Sequence, residues 1–433
     1  MTLPTEPAPP PQPRTYASRI LFWLLVTVAL ALGYAVITRL GVGIGDEDVH
    51  RFQIDWFLQG KYELFEHVTV LPLYHLVVAA LAQFSGLTSL NGLRLVHMVF
   101  AAAAIPAFFA LCRALYPAQA AGRTAQFMFI PILFPLFFLT YTDLPALAFT
   151  FLMLERTFRR SYLWAAVFAL VAVAMRQTNI VWVAFAFGLV ALQVAGDLAG
   201  SSSSGANGNR RARPALEVLP ETLRRGRYLI GVFLAFAGFV LWNGGVAIGD
   251  AEQHRVALNL SNLYFCLLVG FALFLPLNLE QLGNIRRLLG RHRWLAPVLL
   301  ACFFVYFLTY EHPHKYNSFS LAFYRHNWFL HYTSDVTAIR IAAFIPMAWM
   351  ALSFATAAAG SDYRREMLLL VPFALLSMVP LPLIEPRYYY VALCLFLALR
   401  PPMSAAANLI TLLYYIAVSA YVVEGISRQA FFL

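Results

Sequence analysis

Two kinds of side-chain cluster in this chain could do chemistry. The first is acidic: Gly45-Asp46-Glu47-Asp48-Val49-His50-Arg51-Phe52-Gln53 puts three carboxylates and a histidine directly after an apolar run. Ionisable groups beside a membrane span are costly to place without a use. A carboxylate here could serve as a general base, taking a proton from an attacking hydroxyl. It could equally belong to a solvated loop, with Asp46 capping a helix and Glu47 and Asp48 favouring its dipole. Trp56, Phe57, Tyr62 and Phe65 follow, suited to an interfacial helix or a sugar-stacking platform. The second kind is cationic. Arg176-Gln177-Thr178-Asn179 lies between two fully apolar runs, where an arginine either snorkels to headgroups or grips phosphate through two parallel hydrogen bonds. The same choice applies to His312-Pro313, to Arg325-His326-Asn327, and to Arg387 in Glu385-Pro386-Arg387-Tyr388. There, Glu385 and Arg387 could also simply pair. Four cationic sites facing a carboxylate loop on one side of a membrane suit a polyanionic lipid headgroup.

The elements that must hold these groups are helices in a bilayer. Of the 433 residues, 61% are hydrophobic and 12% charged, about half the charge a soluble domain carries. Stretches such as Ile20–Leu32 and Trp164–Met175 are apolar on every face, which excludes the alternating pattern of a membrane β-barrel. The expectation is an all-α, polytopic integral membrane protein with about thirteen spans of ~20 residues. A net charge of +10 does not point to nucleic acid, because the basic residues cluster in short loops. The four cysteines show no metal-ligand spacing and read as small buried hydrophobes.

Residues 1–19 read as a disordered cytoplasmic tail rich in proline, and residues 20–199 as a first transmembrane module that includes the external loop 41–68. Residues 200–227, opening SSSSGANGNRRARP, read as a flexible basic linker, and residues 228–433 as a second module. Basic loops at Arg156–Arg160, Arg210–Arg227, Arg286–Arg293 and Arg364–Arg365 place those ends in the cytoplasm, with the reactive loops on the other face. Between Val68 and Glu155 the span parity does not close, so one segment there is broken or re-entrant, with Tyr141-Thr142-Asp143 as the suspected break. No Gly-rich phosphate loop, no HExxH and no DxD-type nucleotide–metal motif in a soluble domain occurs. A phosphorylated lipid entering from the bilayer therefore fits better than a soluble nucleotide sugar, with catalysis resting on positioning and on stabilising the departing phosphate.

A series of short motifs, in order along most of the chain, carries a resemblance. They are Asp46-Glu47-x-x-His50-x-x-Gln53, Thr69-x-x-Pro72-Leu73-Tyr74, Leu93-Arg94, Tyr141-Thr142-Asp143 and Arg176-Gln177-Thr178-Asn179-Ile180-Val181-Trp182-Val183. After the linker come Asn243-Gly244, Gly249-Asp250 with His254, His312-Pro313, Arg325-His326 and Glu385-Pro386-Arg387-Tyr388. The series resembles the dolichyl-phosphate-glucose-dependent alpha-1,2-glucosyltransferases, which add the terminal glucose to the lipid-linked oligosaccharide of asparagine-linked glycosylation. The resemblance implies a GT-C-type, inverting, metal-independent enzyme without a cofactor, with a polyprenyl-phosphate-glucose donor and a lipid-linked oligosaccharide acceptor. It implies that Asp46 or Glu47 is the base, Asp46 being favoured and Glu47 binding acceptor or holding the base. Arg176, His312, Arg325, His326 and Arg387 become ligands for donor phosphate or acceptor pyrophosphate. His50, Gln53, Tyr74, Gln177, Asn179, Asp250, His254 and Glu385 become substrate contacts, although Asp250 and His254 suit helix ends as well. Where the family carries Ala-Asp-Asn before its Arg-His, this chain has Ala322-Phe323-Tyr324, which leaves the acceptor open. A monomer surrounded by membrane lipids is expected. Its active site would be lumenal in the endoplasmic reticulum of a eukaryote, or periplasmic in the inner membrane of a bacterium. The competing reading is a transporter or flippase of lipid-linked glycans. Transporters tend to show internal repeats and polar sites at mid-bilayer, whereas no repeat is visible here and the polar residues gather on one face.

Overall fold

The computed structural model describes residues 16–203, 215–249, 256–317 and 327–432. Every regular element among them is helical, as expected of apolar runs that must satisfy their backbone hydrogen bonds internally. Five helices are long and apolar enough to cross a membrane: Leu90–Leu115, Gln177–Ala199, Glu217–Asn243, Thr337–Gly360 and Ala405–Ser427. A sixth arises if Leu282–Arg291 and Leu295–Thr309, bent by 108° at their junction, count as one span. The chain is thus an integral membrane protein, with five or six full-length spans among the described residues where apolar runs lead one to expect roughly thirteen.

The difference has a local cause. Several runs that read as continuous are interrupted by proline, which breaks the helical hydrogen-bond ladder. The stretch expected to span at 124–140 ends its α-helix at Met128 and continues through Pro131 and a 3-10 turn, Phe134–Phe137. It lies buried inside the protein, the one setting in which irregular backbone is tolerated at membrane depth. The suspected break at Tyr141-Thr142-Asp143 is the end of this irregular stretch, and a new helix runs from Asp143 to Phe158. Five further apolar helices, Phe22–Ile37, Leu73–Ser85, Tyr162–Met175, Ser261–Leu273 and Tyr390–Leu399, are shorter than a full span. The last is buried on every face. Its terminal carbonyls at Leu397, Ala398 and Arg400 accept hydrogen bonds from Arg123, whose guanidinium lies 4.2 Å over the Tyr116 ring.

Two basic segments read as loops are helical. Leu282–Arg291 is a helix, its apolar Leu282, Ile285, Leu288 and Leu289 recurring at the spacing of one face. In the expected linker, helices reach in from both sides, to Ser203 and from Ala215. Residues 204–214 lie outside the described residues. Arg225 pairs there with Glu221 one turn away and with Asp197 of the preceding helix.

The helix that matters most for the site is Glu47–Leu58, which is not among the helices long and apolar enough to cross a membrane. Its Glu47, His50, Ile54 and Phe57 fall on one face, and all are buried. Ile54 and Phe57 join Tyr74, Val78, Leu93, Ala146 and Met175 in a small second core. That core docks the reactive loop on four neighbouring helices. Gly45 turns the chain into this helix at a φ of +59°, and a Cβ there would sit 2.8 Å from the Tyr141 hydroxyl. Only glycine meets both requirements.

Candidate active site

Asp46 and Glu47 are neighbours that point into different worlds. Glu47 is fully buried, and its carboxylate forms a two-toothed ion pair with the equally buried Arg94, at 2.7 and 2.9 Å. It also accepts from the backbone N–H groups of Ile44 and Thr140. Arg94 spends its other donors on the carbonyls of Leu40 and Val42. Every lone pair of Glu47 is therefore committed inside the protein. Asp46 instead keeps 37% of its side chain exposed. Its backbone N–H donates to the Tyr141 hydroxyl, which in turn donates to the Ile44 carbonyl, each at 2.9 Å.

The carboxylate of Asp46 meets Arg387 at 2.5 Å. Arg387 stands in the 3-10 turn Pro386–Tyr388, lies 4.8 Å over the Tyr141 ring and also pairs with Glu385. Its remaining nitrogen is 3.8 Å from Asp143. Asp143 is fully buried at the first position of its helix, where the helix dipole favours a negative charge, and it pairs with Arg176. Arg176 occupies the extended residue that ends the helix Tyr162–Met175. Arg387 thus gathers Glu385, Asp46 and Asp143, and Asp143 carries the string of charges on to Arg176, so that three carboxylates face two guanidinium groups. A phosphate reaching either arginine must displace a carboxylate already there.

The remaining expected residues divide into two sets. Gln177 reaches across the molecule, accepting from the Leu71 N–H and donating to the carbonyls of Thr69 and Val246. Gln53 grips the backbone at Glu63 and Phe65. Asn179 caps the Ala172 carbonyl, and the Tyr74 hydroxyl meets His97, whose other nitrogen meets the Leu136 carbonyl. These four are occupied inside the scaffold. His50 lies within the string's field, 5.5 Å from the Tyr141 ring and 3.0 Å from His75. Burial pushes its pKa down to about 4, against the opposing pull of Asp46 and Asp143, so the ring is neutral at physiological pH. His312 is paired with Asp335 in a separate cluster. Arg325, His326, Asp250 and His254 lie outside the described residues.

Asp143, Arg94 and Tyr141 stand within the motifs of the sequence, which assign them no site role. A signal for the first was there: Asp143 is the sole acidic residue between Glu66 and Glu155, and a lone carboxylate in so long an apolar stretch needs a cationic partner.

The profile of the DIE2/ALG10 family matches residues 42–398, a stretch that contains this whole string of charges. The chain belongs to the DIE2/ALG10 family. Among curated members similar to it, the Dol-P-Glc:Glc(2)Man(9)GlcNAc(2)-PP-Dol alpha-1,2-glucosyltransferase of Drosophila melanogaster is 25% identical, the match covering 62% of this chain and 64% of that protein. The protein of the same name from Arabidopsis thaliana is 27% identical over 81% of this chain and 84% of its own length. The chain therefore spans about two thirds of the fly relative. Of solved structures, that of ArnT from Cupriavidus metallidurans bound to undecaprenyl phosphate matches 95% of this chain and 60% of its own, at 14% identity and a TM-score of 0.41. Within the DIE2/ALG10 family signature, the acidic pair and both arginines described above are all included.

Proposed function

We propose that this protein is an inverting, GT-C-type glucosyltransferase that moves glucose from a polyprenyl-phosphate-glucose, such as dolichyl-phosphate-glucose, to a lipid-linked oligosaccharide, forming an alpha-1,2 linkage. The observation that carries the proposal is the Asp46–Arg387 pair, a half-exposed carboxylate on a buried guanidinium, in a member of the DIE2/ALG10 family. Asp46 takes the proton of the attacking acceptor hydroxyl as the oxygen closes on the anomeric carbon. Arg387, aided by Arg176, neutralises the phosphate leaving from the opposite side. Glu47 and Arg94 hold the loop rather than touch substrate.

The resting ion pair gives the reaction an order. A carboxylate held on an arginine is a weak base. When the donor phosphate draws Arg387 away, Asp46 loses the cation that stabilises its ionised form and becomes a better proton acceptor. Donor binding thus readies the base. An apolar groove of about 390 Å³ runs between Ile132, Val269, Phe329 and Tyr414 up to Pro386, beside Arg387, and suits the donor's prenyl chain.

On this reading the reactive loops face the lumen of the endoplasmic reticulum or the periplasm. The five shorter apolar helices and the helices Asp143–Phe158 and Arg364–Met378 act as additional spans within the bundle, and the enzyme works as a monomer. The test is transfer by purified protein in nanodiscs, with polyprenyl-phosphate-glucose as donor and a diglucosylated lipid-linked oligosaccharide as acceptor. Wild type should extend the acceptor, and Asp46→Asn should bind donor without turnover. Full turnover by Asp46→Asn would remove the base. Movement of lipid-linked glycan across the bilayer without glucose transfer would favour a flippase.

A further inference from the structure

A second group of reactive side chains stands apart from the string of charges and is unused by the transfer reaction. His312 follows the end of the helix Leu295–Thr309. His331 and Asp335 sit one turn apart on the helix Trp328–Asp335, so they share a face. Nε2 of His312 lies 2.7 Å from one oxygen of Asp335, and Nδ1 of His331 lies 2.9 Å from the other. The two rings meet edge to face with centroids 4.7 Å apart. One ligand atom from each residue falls within 4.8 Å of the others.

Two imidazole nitrogens and a carboxylate oxygen are the donor set of a zinc site that keeps a fourth position open. With bonds of about 2.1 Å, tetrahedral ligands stand about 3.4 Å apart. Nε2 of His312 lies inside that spacing from one oxygen of Asp335 and Nδ1 of His331 from the other, so an ion between the rings would move each nitrogen off the carboxylate by under about an ångström. Ser334 donates to Asp335 at 2.9 Å and fixes the carboxylate, as outer partners do at metal centres. Hydrogen bonds alone are a weak reason for the arrangement. Asp335 is half exposed, and exposed ion pairs contribute only about 0–1 kcal/mol. Yet the cluster joins points 23 positions apart in the chain, and closing such a loop carries an entropic cost that an ion can offset.

We propose that His312, His331 and Asp335 bind a zinc ion whose fourth position is taken by water, and that the ion fastens the segment after Thr309 to the helix Trp328–Asp335. The inference does not depend on the proposed transfer reaction. The full chain, purified with a histidine-free tag into nanodiscs, would be stripped with a chelator, reloaded with Zn2+ or Co2+ and desalted. About one equivalent of zinc should remain by mass spectrometry, Co2+ should give the visible d–d bands of a tetrahedral site, and zinc should raise the melting temperature. Asp335→Asn and His331→Gln, both near in shape to the native residues, should each weaken Co2+ binding by at least about tenfold while keeping the wild-type circular dichroism. Wild type that retains no metal, or a double variant that retains as much as wild type, would overturn the site and leave a hydrogen-bonded trio or an adventitious ion only.

Discussion

Replacing Glu47 by Gln separates a structural carboxylate from the proposed base, because the two neighbours should respond to charge removal in opposite ways. The Glu47 carboxylate takes two hydrogen bonds from Arg94 and two from backbone N–H groups, with no exposure for either partner. An amide keeps the shape but presents one oxygen and one NH2, so at least one N–H must face another donor. Arg94 is then left as a buried cation without a counter-charge. Breaking such a pair from one side costs about 3–5 kcal/mol. The change should appear as a large drop in melting temperature in nanodiscs and as faster proteolysis of the loop 41–68. Asp46→Asn, on a half-exposed group, should leave both readouts near wild type while abolishing turnover. Because Glu47→Gln damages the loop, its activity should return in part at low temperature. A Glu47→Gln protein that melts like wild type yet has lost transfer at every temperature would refute the reasoning and move the base to Glu47.

Three other perturbations follow. Arg387→Ala should raise the apparent KM for the donor and lower turnover together, since it removes a phosphate ligand and the partner of Asp46; donor dependence identical to wild type would exclude a phosphate role. Asp143→Asn should destabilise the protein yet tighten binding of a product-like polyprenyl phosphate. At about 6 Å and an effective dielectric near 20, removing one negative charge is worth at most about 3 kcal/mol, and weaker binding by a folded variant would make Asp143 a positioner of Arg176 instead of a competitor. The third concerns acid. With its pKa lowered to about 4 from 6.5, His50 is neutral in the fold and protonates first in the unfolded chain. Its contribution is intact above about pH 6.5 and is lost as the pH falls towards 4, by up to about 3 kcal/mol. Melting curves of wild type and His50→Gln across that window should converge as the pH falls; parallel curves would contradict the assignment.

The helical, membrane-embedded character of the chain was legible because it is a property of composition: no soluble surface can be built from so few charged residues. Which apolar runs form unbroken helices was not, because hydropathy cannot tell a lipid-facing helix from a proline-broken stretch buried in protein, as at Phe129–Thr142. Four members of the charge string were legible in Asp46, Arg176, Glu385 and Arg387, each conspicuous beside an apolar run. Its middle was not. Asp143 is separated from Arg176 by 33 positions and from Arg387 by far more, and pairing across such distances is a fact of packing. For the same reason Gln53, Tyr74, Gln177 and Asn179, equally polar in sequence, stand in the scaffold.

The string of charges also bears on how the protein is made. Its members come from both halves of the chain, and the contact between Asp46 and Arg387 spans 341 positions. While the front half is being inserted, Asp46 lacks its arginine, and Asp143 has Arg176 alone. A nascent chain therefore carries unmatched charge until nearly its last helices emerge from the ribosome. A truncated product keeps Asp46 without Arg387 permanently, whereas a back half supplied as a separate polypeptide brings that arginine, already paired with Glu385.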